Sequence, residues 1–357
     1  MPDAEFSLHG PIVALASVDD GFAAAHATGV ISRNGYDSVD LGVALTSLAA
    51  LTTPDETVLL VGDSIGDVHF VSQTARSNAQ HATSSIAAGF PLSSIAVQDD
   101  GARGASAPLV AFGEGRRGGV SVFAAEALLS GATGAVASWR GFAGGGAGPG
   151  VRTVRWWPHS ATTLLAAAGT RVLFMDTRSP SGGGAAAALR MPHLIGAAGK
   201  SVATAPLVLD VLLPRGSDDP WAAFGALEDG RIVVWDLRRP GSPRGTSPAS
   251  GSSEHIGAAW SIVAAPPASV TSAAGVGCVV VSAGEDGTLR AHAAGATGDL
   301  LALQSSPLSV SSRALRSVIV GRAAGSSGTS TVAPACVFIA AGDAGSILSV
   351  PAMDVYQ

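Results

Sequence analysis

The chain has 357 residues, 47% hydrophobic and only 13% charged, so it can bury a large core as two average domains or one large all-β fold. Its net charge of −6 argues against a phosphate-binding surface, because nucleic-acid binders carry a basic excess. Two cysteines, Cys278 and Cys336, exclude a disulfide framework and a multi-cysteine zinc site, and 46 glycines with 20 prolines demand many turns rather than long helices.

The N-terminus, MPDAEFSLHG, has no basic segment followed by an apolar stretch, and the chain contains no Asn-x-Ser/Thr sequon. No signal peptide is expected, and the cytosol or nucleus is the natural compartment. From residue 10 onward one theme recurs: a strand, then an apolar strand, a tight turn and a further strand. GPIVALASV (10–18) precedes the hairpin FAAAHATGVISR (22–33), the weakest copy. VDLGVALTSLAAL (39–51) precedes TVLLVGDSIGDVHFVS (57–72), and FPLSSIAVQ (90–98) precedes LVAFGEGRRGGVSVFA (109–124). GVRTVRWWP (150–158) leads into TLLAAAGTRVLFMDTR (163–178), and PLVLDVLLP (206–214) into WAAFGALEDGRIVVWDLR (221–238). IGAAWSIVAAP (256–266) leads into CVVVSAGEDGTLRAHA (278–293), and RALRSVIVG (313–321) into CVFIAAGDAGSILSVP (336–351).

Aligned on the turn, the anchors are Gly29, Gly66, Gly119, Thr170, Gly230, Gly287 and Gly345. Hairpin units repeating at this spacing signal propeller blades. The turns Glu-Asp-Gly at 228–230 and 285–287 supply a residue that tolerates positive φ where the chain reverses. Arg231-Ile232-Val233-Val234-Trp235 reads as a strand covered on both faces, as between neighbouring blades. The expectation is an all-β chain forming a single seven-bladed propeller domain over 1–357, with four strands per blade. An open ring would expose strand edges. The last hairpin leaves little chain for a fourth strand, so about Glu5 to His9 are expected to complete that blade as a clasp.

Gly-, Ser-, Ala- and Pro-rich stretches at 142–150, 181–188, 240–253 and 322–332 cannot bury enough apolar surface to order themselves and read as surface loops. The uncharged stretch 256–284 is long enough to span a membrane. Its Pro266-Pro267 and its β-rich end make strand, loop, strand the better reading, and no direct membrane insertion is expected.

Several motifs suggest chemistry and fail on context. Gly62-Asp63-Ser64-Ile65-Gly66 matches a nucleophile elbow, but an alternating strand follows where a helix is required. Gly196-Ala197-Ala198-Gly199-Lys200-Ser201 resembles half a phosphate loop, yet Leu194 stands where a glycine is needed and a strand follows through Pro206. The eight histidines form no metal-spaced cluster. No catalytic residue, cofactor site or metal site is assigned, and no nucleic acid is expected as a partner. Arg116-Arg117 and Arg238-Arg239 read as solvated basic points. Adjacent strand residues face opposite ways, so at most one of Trp156 and Trp157 can enter a given blade interface. The other is a candidate partner anchor, since Trp is enriched at hot spots.

Val233-Val234-Trp235-Asp236-Leu237-Arg238, then His255 and Trp260, then Ser282-Ala283-Gly284-Glu285-Asp286-Gly287 resemble the WD-repeat propellers over most of the chain. The Trp-Asp pair occurs once, and Met175-Asp176 replaces it in one blade. The resemblance implies that Trp235, Asp236, His255, Trp260 and Asp286 link strands through buried hydrogen bonds. The same run, a divergent last blade (334–343) without a Trp-Asp end, and a Ser-rich insertion at about 304–312 resemble the forty-three-kilodalton-class WD nucleoporins of the Y-shaped outer-ring complex of the nuclear pore. That likeness implies a non-enzymatic protein–protein scaffold at the nuclear envelope, docked on α-helical solenoid nucleoporins. Residues 223–238 also resemble the WD box of cullin-RING ligase substrate receptors, with Asp236 and Arg238 as the matching residues and the cytoplasm or nucleoplasm as the location. The candidate docking residues are therefore Trp156, Trp157, Asp236 and Arg238.

Overall fold

Val, Leu, Ile, Ala and Phe dominate the middle strands of each repeat, so every such strand must be covered on both faces. The computed structural model meets this demand by stacking the repeats around an axis. It describes residues 5–6, 9–18, 21–33, 36–53, 56–72, 81–86, 90–98, 108–116, 118–132, 134–140, 150–179, 187–190, 205–214, 221–241, 243–247, 254–265, 276–295, 300–302, 308–322 and 336–351.

Seven antiparallel sheets follow one another in chain order. Blade one runs Ile12–Val18, Gly21–His26, Val30–Arg33, Tyr36–Asp40, and blade two Leu45–Thr52, Thr57–Asp63, Asp67–Ser72, His81–Ser85. Blade three runs Leu92–Val97, Leu109–Glu114, Val120–Ala124, Ala137–Trp139, with the short helix Ala125–Leu129 before its last strand. Blade four runs Val151–Trp156, Thr163–Ala168, Arg171–Asp176, Ala187–Arg190, and blade five Val208–Leu212, Ala222–Leu227, Ile232–Asp236, Pro243–Thr246. Blade six runs Ala259–Ala264, Val276–Gly284, Thr288–Gly295, Leu300–Ala302, its third strand also pairing with Leu308–Ser309. Blade seven runs Leu315–Arg322, Cys336–Gly342 and Ser346–Pro351. Glu5–Phe6 completes it, Glu5 opposite Ile347 and Phe6 opposite Ser346, so the ring is closed by the expected clasp.

Three details differ from the sequence reading. The stretch 39–51 is two strands, the outer one of blade one and the inner one of blade two, divided by a turn with Gly42 at φ 69. The turn glycines of blades three and four are Gly118 and Gly169, each one residue before the aligned anchor. In blade four the hairpin is only two residues long, so the alignment slips. The stretches 181–188 and 240–253 hold parts of the outer strands Ala187–Arg190 and Pro243–Thr246. An outer strand needs one paired edge and no apolar face, and an edge tolerates Pro243.

Alternate residues of each strand enter opposite seams. Leu164 and Ala166 pack toward blade three, Leu165 and Ala167 toward blade five. Val279 and Val281 pack toward blade seven, Val280 toward blade five. Each seam holds its own apolar cluster, and the seam between blades seven and one is filled by Ile12, Leu15, Ala24, Ile339 and Ala341. Each buried Leu, Ile or Val contributes roughly 1.5–3 kcal/mol.

The inner strands share a device that the sequence reading missed. Each has a β-bulge at its second residue, followed by Ala14, Ser47, Ser94, Thr153, Asp210, Ser261 or Ser317. Short polar groups here reach the next blade: Ser94 Oγ accepts from Val154 N at 3.1 Å, Asp210 Oδ2 from Ile262 N at 3.2 Å and Ser261 Oγ from Val318 N at 3.3 Å. Ser47 Oγ donates to Leu92 O at 2.7 Å. Asp210 also holds Arg155 of blade four, so three inner strands meet on one carboxylate. These bonds fix the blades' relative positions and make the ring a rigid support for its two faces.

Candidate functional site

The hairpin turns and the blade-to-blade connections lie at one end of the ring, here the hairpin face. The other connections lie on the far face. On the hairpin side of blade six, Asp286, His255, Ser282 and His292 form a buried chain. Asp286 Oδ1 lies 2.8 Å from His255 Nδ1, His255 Nε2 lies 2.8 Å from Ser282 Oγ, and Ser282 Oγ lies 3.0 Å from His292 Nε2. An ionised carboxylate only accepts, so His255 donates through Nδ1 and accepts from the serine hydroxyl. That hydroxyl oxygen in turn accepts from His292. Burial drives both imidazoles toward the neutral form, the pKa of His255 falling and that of His292 falling to about 3. Burial raises the pKa of Asp286, but bonds from His255, Thr288 and the Ile256 N–H outweigh it and hold the carboxyl far below its usual range.

The Asp-His-Ser order matches that of an activated nucleophile. Ser282, however, is wholly buried and lies between two imidazoles, so its oxygen is saturated and out of a substrate's reach. The arrangement ties the incoming connection to the blade. Trp260 stands outside it: its indole lies on the inner-strand bulge beneath Arg316, 4.0 Å from the guanidinium, and among the described residues its Nε1 has no hydrogen-bond partner. The expectation that Trp260 joins a buried hydrogen-bond network is corrected accordingly.

Ser64 occupies the hairpin turn of blade two, exposed, with a strand after it. That turn is organised by Asp63, whose Oδ1 accepts from the backbone N–H groups of Ile65, Gly66 and Asp67 at 2.8–3.0 Å while Oδ2 meets His69 Nε2 at 2.9 Å. Residues 196–201, the half phosphate loop, lie outside the described residues, as does the side chain of Cys336. Burial pushes the Cys278 thiol up to about 12, which makes it a poor nucleophile. Among the described residues no group of His, Cys, Asp and Glu is arranged to hold a metal ion, and no helix is long and apolar enough to cross a membrane.

The docking candidates divide between core and surface. Trp156 and Trp157 face opposite seams. Trp156 is buried between blades three and four, its Nε1 donating to Ala96 O at 3.0 Å, so it offers nothing to a partner. Trp157 packs between blades four and five, half-buried, edge-on to Trp221 with ring centres 5.3 Å apart. Trp221, absent from the sequence-derived candidates, is the more exposed indole of the pair, at 37%. Its carbonyl accepts from Leu237 N at 2.8 Å, which places Asp236 and Arg238 beside it on the far face.

Asp236 and Arg238 form a clamp: Asp236 Oδ1 accepts from the backbone N–H and Nε of Arg238, and Oδ2 from Nη2, each at 2.9 Å. Blade four repeats it. Asp176 Oδ1 accepts from Arg178 N and Nε at 3.0 Å, and Oδ2 from Nη2 at 2.6 Å. The Arg178 hydrogen bonds draw the Asp176 carboxyl down to about 2, and those of Arg238 lower Asp236 in the same way. The far face of blades four and five thus presents an indole pair and, on the same face, two positioned guanidiniums. This array can stack on apolar groups and donate to carboxylates or carbonyls.

No family model matches the sequence, and no curated protein matches it. Among solved structures the chain is similar to the WD40 β-propeller domain of Doa1. The two share 15% sequence identity at a TM-score of 0.62, over 96% of this chain and 94% of that one. The likeness establishes the WD40-type seven-bladed propeller fold and, at that identity, nothing finer.

Proposed function

We propose that this propeller is a non-enzymatic protein–protein scaffold, and specifically a structural subunit of the outer-ring Y-complex of the nuclear pore, docked on α-solenoid nucleoporins at the nuclear envelope. The observation that carries this reading is the character of blades five to seven. Blade five holds the one Trp-Asp pair, Trp235-Asp236, while Val350-Pro351 stands at the matching place in the last blade. Within the Ser-rich insertion, Leu308–Ser309 pairs with Thr288 and Leu289 of blade six. A preformed ring also suits a scaffold, because little ordering entropy is lost when a partner docks.

A second reading, a substrate receptor of a cullin-RING ligase, is favoured by one feature: the Asp-x-Arg clamp occurs twice, in consecutive blades and on the same face. Affinity purification of the tagged full chain from native extract, read by mass spectrometry, tests both. The scaffold reading expects solenoid nucleoporins. Recovery of ligase adaptor subunits alone supports the second, and recovery of neither overturns both.

A further inference from the structure

The hairpin face carries a surface that the far-face array does not explain. The connection into blade six ends in Glu254, His255, Ile256 and Gly257, and Ile256 is 81% exposed, the most of any large apolar residue described. The backbone beneath it is fixed. The His255 ring is locked in the buried chain, Ile256 N donates to Asp286 Oδ2 at 3.1 Å, and Ala258 N donates to Glu285 Oε2 at 3.0 Å. Gly230 lies so close under the carbonyls of His255 and Gly257 that a Cβ there would collide with both. An apolar side chain held into water by a rigid loop is a preformed contact, not a frayed end.

Its exposed charged surroundings are mainly acidic. Glu228 and Glu285, from the turns of blades five and six, are exposed. Of the cations near this corner, Arg231 and Arg290 are buried beneath, bonded to Asp229 and Asp286, and Arg313 is exposed on the next connection, its carbonyl against Gly287. Glu254 carries a carboxylate oxygen, Oε1, that is shielded from water and, among the described residues, has no donor. Burial raises the pKa of this group, as expected of a carboxylate without a donor.

We infer that this corner docks a basic segment of a partner protein, an apolar side chain covering Ile256 and lysine or arginine side chains meeting Glu228 and Glu285. A nucleic acid would be repelled by the same carboxylates. The inference stands apart from the nuclear-pore reading, since it concerns the opposite face and only the local chemistry.

The test is fluorescence anisotropy on the full chain with a labelled synthetic peptide of alternating Lys and Leu. Peptides alternating Lys with Ser and Glu with Leu serve as controls. The Lys-Leu peptide is expected to bind, with affinity falling as salt rises. Ile256→Ser is expected to weaken it about tenfold, and the Glu228→Gln/Glu285→Gln double variant to weaken it and flatten the salt dependence. Ile256 supports nothing in the core, so the serine variant should unfold at the unchanged denaturant midpoint. Arg238→Ala should bind the peptide normally, which separates this surface from the far-face clamps. Unchanged affinity in Ile256→Ser, equal binding of the Glu-Leu peptide, or self-association of the chain through this face in sedimentation would each overturn the inference.

Discussion

Blades five and six are neighbours with matching register, yet they fill one pair of positions with opposite chemistry. Gly225 lies opposite Val233, two residues before Trp235, and Ser282 lies opposite Arg290, two residues before His292. In blade five the indole covers the glycine, so that a Cβ on Gly225 would stand 2.6 Å from the ring. In blade six the smaller imidazole leaves room for the serine and donates a hydrogen bond to it, at 3.0 Å. Volume moved from one position to the other is compensated at its partner, and polarity introduced at one is satisfied at the other. The Trp-Asp signature is therefore one solution to a two-position packing problem, and a blade lacking it is not a degraded blade.

The largest expected effect breaks the apolar member of the comparison. Trp235 is completely buried, and Trp235→Ala should cost about 3–5 kcal/mol, read from denaturant unfolding of the full chain. A loss under about 1 kcal/mol would mean that the indole adds little to the seam between blades four and five.

The polar member should instead reveal itself through pH. The folded-state pKa values of His255 and His292 lie below the ordinary 6.5 because burial disfavours the charged ring, and His26 in blade one shifts the same way. Below 6.5 the unfolded chain holds protons that the folded chain lacks. Stability is therefore full above that pH and falls as pH drops, for His292 down to its folded value near 3. Each such histidine tilts stability by about 1.4 kcal/mol per pH unit across its window. Asp286, lowered by its partners, adds loss in stronger acid, while Glu254, raised by burial, works against the trend. His292→Gln keeps a donor for Ser282 without the titration, so its stability profile between about pH 5 and 7 should be flatter than that of the parent chain. An unchanged slope would assign the titration to groups other than His292.

What could be read from the sequence follows the same physics. Glu-Asp-Gly at 228–230 and 285–287 marked the turns because positive φ restricts residue choice, and Gly230 and Gly287 sit at φ 87 and 71. Two adjacent glycines at 118 and 119 carry the same information, so only coordinates distinguish them. The Ser282–His292 pair was not legible, because neither residue type announces that it compensates for the other. Trp221 carries no signal in the sequence, because its contact with Trp157 crosses a seam and spacing between blades varies too much to align the two. Resemblance places Trp260 in a hydrogen-bond network, whereas the bulge at the start of its strand turns the indole toward Arg316.

A smaller effect sharpens the compensation argument. Gly225→Ser in blade five drives a side chain into the indole and should cost about 1–3 kcal/mol by overpacking. Combined with Trp235→His, it rebuilds the blade-six pair, and the double variant should be more stable than the sum of the single losses predicts. A coupling of about 0.5–3 kcal/mol is expected from a double-mutant cycle. Strict additivity would show that the two positions do not share one packing space.

The smallest stability effect should accompany a binding effect, and it separates blade five from blade six on the far face. Arg238 is clamped by Asp236, whereas blade six has Ala293 after His292 and so no carboxylate to hold a guanidinium there. The pair is solvated on the arginine side, 53% exposed, so screening limits its worth, and Arg238→Ala should change unfolding stability by less than about 1 kcal/mol. The same change removes the guanidinium beside Trp221. Recovery of partners by the tagged chain should fall while the unfolding midpoint holds, and Trp221→Ala should act in the same direction. Undiminished recovery with both substitutions would move docking away from blades four and five, leaving the clamps as turn-stabilising devices whose role ends at the fold.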